Sequence, residues 1–428
     1  MALIIKNGRV VDPENKVDKI LNVVIENKKI KNLTKATGKT GKVIDAKGKI
    51  VIPGLIDIHT HLREPGREDA ETIASGTKSA AMGGFTSICC MPNTQPPVDS
   101  VSGVKFILTT ATQEGVVNVY PIGCITKARS GGELAEIGKM RNAGIVGISD
   151  DGRPVMNANI MRYALQYSKM LDLPVISHSE DLNLSGNGVM NDGYVSTVLG
   201  LKGIPRQAEE VMVARDIALA ELTGGRLHLA HITTERSVEL IREAKKRKLK
   251  VSCEVTPHHF SLSDEDVRGY NTNTKINPPL RTKDDIKALL GGLADNTINC
   301  IASDHAPHLD VEKDNEYDAA PFGIIGLETA LPLIITNLVH KKVLTLNQAI
   351  AKLTCNPAKI LKLNKGSIKI GDDADITIID LNLEKITTKD FASKSRNSPF
   401  IGKKLKGFAV ATIVAGQVIM KDGEIVSG

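Results

Sequence analysis

Two histidines one residue apart, His59 and His61, lie in the run Asp57-Ile58-His59-Thr60-His61-Leu62-Arg63, after a short apolar stretch, 50–58, that contains the breaker pair Pro53-Gly54. In an extended strand alternate side chains share a face, so both imidazoles converge on one point while Ile58 and Thr60 face the other way. Neutral imidazoles placed like this suit a divalent metal such as zinc. The rest of the chain must then supply further ligands. Residues of the right kind recur at the ends of apolar runs: Met91-Pro92-Asn93-Thr94, Ser149-Asp150-Asp151-Gly152, Ser177-His178-Ser179-Glu180, Leu229-Ala230-His231, Thr256-Pro257-His258-His259 and Ser303-Asp304-His305-Ala306-Pro307-His308. Singly each has an ordinary explanation, since Asp before Gly is turn chemistry and a lone His after a strand is commonly a surface residue. Together they offer enough imidazoles and carboxylates for a binuclear site with a bridging carboxylate. Residue type alone leaves the choice between Asp150 and Asp151 open. His258, His259 and His305 read as packing groups or as hydrogen-bond partners of ligands.

Such residues meet only if the chain gathers its strand ends on one rim. Eight apolar runs occur, at 51–59, 86–91, 117–125, 145–150, 175–178, 227–232, 251–255 and 298–304, with helical periodicity between most of them, as at 70–81, 160–170, 208–222 and 237–247. Near-continuous apolar strands with helical crossovers mark a buried parallel sheet, and eight units close a barrel with its chemistry at the strand C-termini. The predicted fold is α/β, a (β/α)8 TIM-like barrel over residues 53–364. Residues 1–52 and 365–428 differ in kind, with short β-like runs punctuated by Asn7-Gly8, Asn27, Lys47-Gly48, Gly371, Gly416 and Asp422-Gly423. Neither has strands enough for a sheet of its own, so the two ends are expected to form one small β-sandwich beside the barrel. The Gly- and Asn-rich stretch 181–206 reads as a loop insertion after the fifth strand, and 309–320 as a candidate mobile flap.

Composition removes several functions. The 55 basic and 49 acidic residues nearly balance, and the densest basic run, Lys245-Lys246-Arg247-Lys248, falls near the end of a predicted helix, where cations complement the dipole. Trp is absent and aromatics make up 3% of the chain, which argues against base-stacking platforms, so no nucleic-acid partner is expected. No window is long and apolar enough for a bilayer, and the start of the chain reaches Lys6 and Arg9 without a signal-peptide core, so a cytoplasmic protein without a membrane partner is expected. The six cysteines form no C-x-x-C pair and several sit in apolar runs. They read as reduced, structural thiols, not as a thiolate zinc site.

Over essentially its whole length the chain resembles the class I bacterial dihydroorotases of the amidohydrolase superfamily. The specific matches are Asp57-Ile58-His59-Thr60-His61-Leu62-Arg63-Glu64-Pro65-Gly66 and Ala302-Ser303-Asp304-His305-Ala306-Pro307-His308 with Lys313 beyond it; Met91-Pro92-Asn93-Thr94, Asn277-Pro278-Pro279-Leu280-Arg281 and Pro321-Phe322-Gly323 add support. The resemblance implies two zinc ions per subunit, one held by His59, His61 and Asp304 and the other by His178 and His231, with Asp151 bridging. Many relatives bridge with a carbamylated lysine, but 144–152 contains no Lys, so a carboxylate must serve, as in class I. It also implies reversible cyclisation of N-carbamoyl-L-aspartate to L-dihydroorotate in pyrimidine synthesis, with Asp304 as general base and acid. Substrate contacts are implied for His61, Arg63, Asn93, Asn277, His308, Phe322 and Gly323; the Arg63 fork matches the carboxylate that survives the reaction. Another cyclic amidohydrolase, a hydantoinase or allantoinase, is the nearest rival, followed by a non-catalytic scaffold for aspartate transcarbamoylase. Association with that enzyme and a homodimer both remain open on the sequence.

Overall fold

The computed structural model describes residues 2–36 and 41–426. Five strands come first: β1 (Leu3–Asp12), β2 (Val17–Glu26), β3 (Lys29–Thr34), β4 (Lys42–Asp45) and β5 (Ile50–Pro53). Then follow β6 (Leu55–Thr60), β7 (Phe85–Cys90), β8 (Asn118–Gly123), β9 (Gly147–Ser149) and β10 (Pro174–Ser177). A small parallel ribbon, β11 (Met190–Asn191) with β12 (Gly203–Ile204), interrupts before β13 (Arg226–Leu229), β14 (Val251–Val255) and β15 (Cys300–Ile301). The chain ends in β16 (Ile376–Ile386), β17 (Lys404–Val414), β18 (Gln417–Lys421) and β19 (Glu424–Ile425).

Strands β6 to β10 and β13 to β15 form an eight-stranded sheet in strict chain order, every pair parallel. Its two edges meet where Thr60 bridges His305 and the His61 amide donates to the His305 carbonyl at 2.8 Å, so the sheet closes on itself. Helices run between most consecutive strands. Glu235–Lys246 illustrates why: Thr234 caps its start by accepting from the Ser237 amide, and Val238, Ile241 and Ala244 are buried at helical spacing. Alternation within strands sorts inside from outside. Leu227, Leu229, Val251, Cys253 and Val255 join the large core beneath the helices, whereas His228 and Glu254, at the positions between them, come into mutual contact. A second cluster, including Ile56, Ile58, Met91, Ile122, Ile176 and Ala302, is joined by Ala358, Ile360 and Leu361 of the helix Cys355–Leu361.

The two chain ends pair into one continuous nine-stranded mixed sheet, ordered β19-β18-β17-β16-β5-β1-β2-β3 with β4 on β1, rather than into two separately bonded sheets. Ile5, Val23, Val51, Ile376 and Ile413, from strands of both chain ends, share one core. The join is β5 against β16, antiparallel. The apolar run 51–59 is therefore not one strand, since its first part belongs to this sheet and its second, β6, to the ring. Gly54 makes the change of sheet: its amide donates to the Asp375 carbonyl, and a Cβ there would lie 2.0 Å from Thr86 Oγ1, so only glycine fits. The insertion 181–206 carries two short helices, Leu182–Ser185 and Tyr194–Leu199, besides the ribbon. Residues 368–370, one of the short β-like runs of the C-terminal part, form no strand. All six cysteines are buried and free, and no helix among the described residues is long and apolar enough to cross a membrane.

Candidate metal centre

The ends of β6, β9, β10 and β13 and the segment after β15 deliver imidazoles and carboxylates to one point. His59, His61 and Asp151 form one set of ligand atoms lying within 4.8 Å of one another, and Asp151, His178 and His231 form a second. Asp151 belongs to both. Its Oδ1 lies 3.4 Å from His59 Nε2, 3.5 Å from His178 Nδ1 and 3.6 Å from His231 Nε2, while Oδ2 lies 3.6 Å from His61 Nε2. Asp304 Oδ1 approaches the first set, 2.9 Å from His61 Nε2 and 3.5 Å from His59 Nε2. These six side chains are the ones implied as ligands from the sequence.

The choice between neighbouring carboxylates is explained by their partners. Asp150 turns away and accepts from the Ile125 and Thr126 amides and the Thr126 hydroxyl, so it fixes the turn after β8. Asp151 faces the imidazoles. Three buried polar atoms in the cluster, His59 Nε2, Asp151 Oδ1 and His231 Nδ1, lack any hydrogen-bond partner. Buried lone pairs of this kind are costly unless something satisfies them, and nitrogen and carboxylate donors closing on a common point suit a divalent cation. Titration points the same way. Burial would raise the Asp151 and Asp304 carboxyls, yet His59 and its neighbours hold both well below the ordinary range. Burial likewise opposes charge on His59 and His178, but Asp151 and adjacent carboxylates lift both, His178 to about 10.

Behind the candidate ligands stands a layer of polar partners, of which the sequence singled out only Asn277, and that one as a substrate contact. His59 Nδ1 donates to Glu254 Oε1 at 2.6 Å, which leaves Nε2 free toward Asp151. Glu254 Oε2 accepts from His228 Nε2 at 3.1 Å, and His228 Nδ1 lies 2.8 Å from the Ser252 hydroxyl. Burial would raise the Glu254 carboxyl, but the two imidazoles hold it down at about 2. On the other side His178 Nε2 donates to Glu180 Oε2 at 3.0 Å, and Asn277 Nδ2 donates to the same oxygen at 2.9 Å. A carboxylate on the far nitrogen fixes the tautomer and orientation of a metal-binding imidazole. Glu254 and Glu180 each show one weak signal in sequence: a charged residue inside or just after an otherwise apolar run.

A cavity of about 220 Å3 opens above the cluster, and every residue implied as a substrate contact lines it: His61, Arg63, Asn93, Asn277, His308, Phe322 and Gly323. Asn93 Oδ1 is 2.8 Å from His61 Nδ1, so that amide also orients one of the clustered imidazoles. Arg63 has no carboxylate within ion-pair distance among the described residues; its Nε donates to the Pro307 carbonyl at 3.0 Å and its Nη2 lies 3.3 Å from His308 Nε2. Burial pushes this guanidinium down to about 10, and Glu64 turns instead to the Ile73 amide. Arg63, His231 and Asp304 all hold positive φ, at 62°, 30° and 47°, strain of the kind that collects at functional sites. Of the spare imidazoles, His259 bonds Thr256 and the Pro278 carbonyl, and His305 bonds Glu71 and the Gly326 amide. Burial lowers His258 to about 4, and its Nε2 is unpartnered. The 309–320 segment holds a four-residue helix, Asp310–Lys313, with Lys313 and Tyr317 buried.

Fold and site together define a hydrolase of the amidohydrolase kind. A family model described as dihydro-orotase-like matches residues 48–237, and one described as amidohydrolase family matches 326–420. The chain is 56% identical to a dihydroorotase of Endomicrobium trichonymphae, covering 98% of this chain and 99% of that one, and 57% identical to a dihydroorotase of Pelotomaculum thermopropionicum, covering 99% of each. Among solved structures it resembles an L-hydantoinase (dihydropyrimidinase) from Arthrobacter aurescens with a TM-score of 0.90 at 26% identity, over 99% of this chain and 97% of that one. A D-hydantoinase structure matches with a TM-score of 0.87 at 24% identity, over 100% and 96%, a likeness of fold. The chain belongs to the dihydroorotase family.

Proposed function

We propose that this chain is a zinc-dependent dihydroorotase that interconverts N-carbamoyl-L-aspartate and L-dihydroorotate in pyrimidine synthesis, on a (β/α)8 barrel spanning residues 53–364 and flanked by 1–52 and 365–428. The observation that carries the reading is the pairing of two ligand sets sharing Asp151 with the unpaired Arg63 guanidinium in the same cavity. One zinc would be held by His59, His61 and Asp304 and the other by His178 and His231, with Asp151 between them. Two such ions supply an acidified water and polarise the carbonyl under attack.

The chain's own residues supply the rest. Arg63 binds the carboxylate that the reaction leaves untouched, through a planar fork, and His61, Asn93 and His308 flank it. The Asn277 amide and the Phe322 and Gly323 backbone hold the ring amide. In ring opening, Asp304 takes a proton from the attacking water as the C–O bond forms, then passes it to the ring nitrogen as the C–N bond breaks. In cyclisation the same carboxylate takes the proton from the ureido nitrogen and returns it to the departing water. Asp304 lies 2.9 Å from His61 Nε2, and its carboxyl is held below the ordinary range, so it is ionised at neutral pH. We read the protein as cytoplasmic, with the homodimer and the association with aspartate transcarbamoylase still to be tested.

Cyclisation of N-carbamoyl-L-aspartate, assayed beside hydrolysis of hydantoin and allantoin on a sample analysed for metal, tests the reading. Turnover of dihydroorotate with about two zinc ions per chain is expected. A preference for hydantoin would favour the rival that the solved-structure likeness suggests; absence of both turnover and metal would favour a scaffold.

A further inference from the structure

Lys313, five residues beyond the end of the Asp304-to-His308 motif, has no part in the chemistry above, yet it is only 5% exposed. Its Nζ donates to the carbonyls of Pro321 at 2.8 Å, Thr272 at 2.9 Å and Lys275 at 3.4 Å. An ammonium has three N–H donors, and here each finds a backbone oxygen, with no carboxylate in ion-pair distance among the described residues. Burying a cation without a counter-ion is unfavourable, so apolar packing would be the simpler filling for this space. Burial pushes the ammonium down to about 7.

The three carbonyls belong to segments that lead into the substrate cavity. Lys275 precedes Asn277 by two residues, Pro321 directly precedes Phe322 and Gly323, and the segment carrying Lys313 itself begins at His308. The Lys275 carbonyl also accepts from the Gly323 amide at 2.9 Å, and the Lys275 ammonium lies 4.6 Å over the Phe322 ring. We infer that Lys313 is a positioning residue for substrate recognition: it knots the 272–275 and 321–323 segments to its own and thereby sets where Asn277, Phe322 and Gly323 stand above the metal cluster. This rests on the proposed substrate contacts.

The test uses full-length, metal-loaded wild type, Lys313→Met and Lys313→Arg. In Lys313→Met the KM for dihydroorotate and for N-carbamoyl-L-aspartate should rise about tenfold, with kcat within about threefold and metal content unchanged, because binding geometry is lost and the chemistry is not. Lys313→Arg, which keeps a cationic donor, should recover part of the KM. Hydrogen exchange read on peptides should quicken across 270–277 and 320–325 in Lys313→Met while strands β6 to β10 keep wild-type protection. A lower melting temperature with unchanged KM, or unchanged exchange at 320–325, would overturn the inference. Wild type that binds metal but turns over neither substrate would instead refute the proposed function, and the exchange comparison would still judge the knot.

Discussion

Glu254→Gln alters one charge and almost no volume at a residue that touches no substrate. The wild-type carboxylate takes one N–H from His59 and one from His228, at 2.6 and 3.1 Å, and lies fully inside the protein. An amide can still accept from His59 Nδ1. Its NH2 then faces His228, which must become the other tautomer and donate from Nδ1 to the Ser252 hydroxyl, a rearrangement the 2.8 Å contact permits. Shape and tautomer at His59 survive; the charge is lost. Hydrogen bonds to ions contribute roughly 1.5–3 kcal/mol and neutral ones roughly 0.5–1.5, so the difference is on the order of 1–1.5 kcal/mol, or about tenfold in zinc affinity. Glu254→Ala removes both acceptors, strands two buried donors and frees the His59 ring, so about a hundredfold is expected. Titration against a competing chelator, with cyclisation rate followed as a function of free zinc, measures both. Wild-type affinity in Glu254→Gln would refute the electrostatic argument, and equal losses in the two variants would show that space, not charge, is what Glu254 supplies.

Arg63→Met should leave metal content near normal while raising KM for dihydroorotate about 10- to 150-fold, the equivalent of a charge-assisted pair worth roughly 1.5–3 kcal/mol; steady-state kinetics with elemental analysis decide it. For Asp304→Asn, kcat should fall about 10²- to 10⁴-fold and stay low when metal is supplied in excess, because the proton carrier is gone; recovery with added metal would assign Asp304 to ligation alone. Glu328, which accepts from the Ser79 hydroxyl and the Ala392 and Ser393 amides, has its carboxyl pushed up to about 7 by burial. A carboxyl raised in the folded state contributes stability that is fully present below its unfolded value and lost as pH rises through about 7. Glu328→Gln should therefore flatten that fall and melt above wild type at pH 8; identical melting curves for the two proteins between pH 5 and 8 would rule this out.

The imidazoles and carboxylates that gather in the structure are legible because each lies where an apolar run stops, whereas their division between two ions comes only from the family resemblance. Choosing Asp151 over Asp150 was beyond local pattern: the two differ in which backbone amides lie across the ring, a matter of pairing between β8 and β9. Glu254 and His228 were harder still. They sit inside runs that read as packed strands, and the bond that gives Glu254 its meaning joins it to His59, 195 residues away. Apolar patterning reads 51–59 as one strand because periodicity cannot register a change of sheet. What marks the change is the room Thr86 needs beside Gly54. Lys313 stood out by motif, but the carbonyls around it belong to segments with no pattern that would announce them.

Because β5 finds β16 rather than a neighbour in sequence, the first sheet begun on the ribosome is the last to be completed. Roughly 320 residues separate the two strands, which at about 5–20 residues per second amounts to some 15–60 seconds of synthesis. Throughout that interval β5 presents a bare, apolar edge of the sort that recruits other chains. Slow elongation or premature termination past residue 53 would lengthen this exposure, so the nascent chain's hazard is set by the tail of the message.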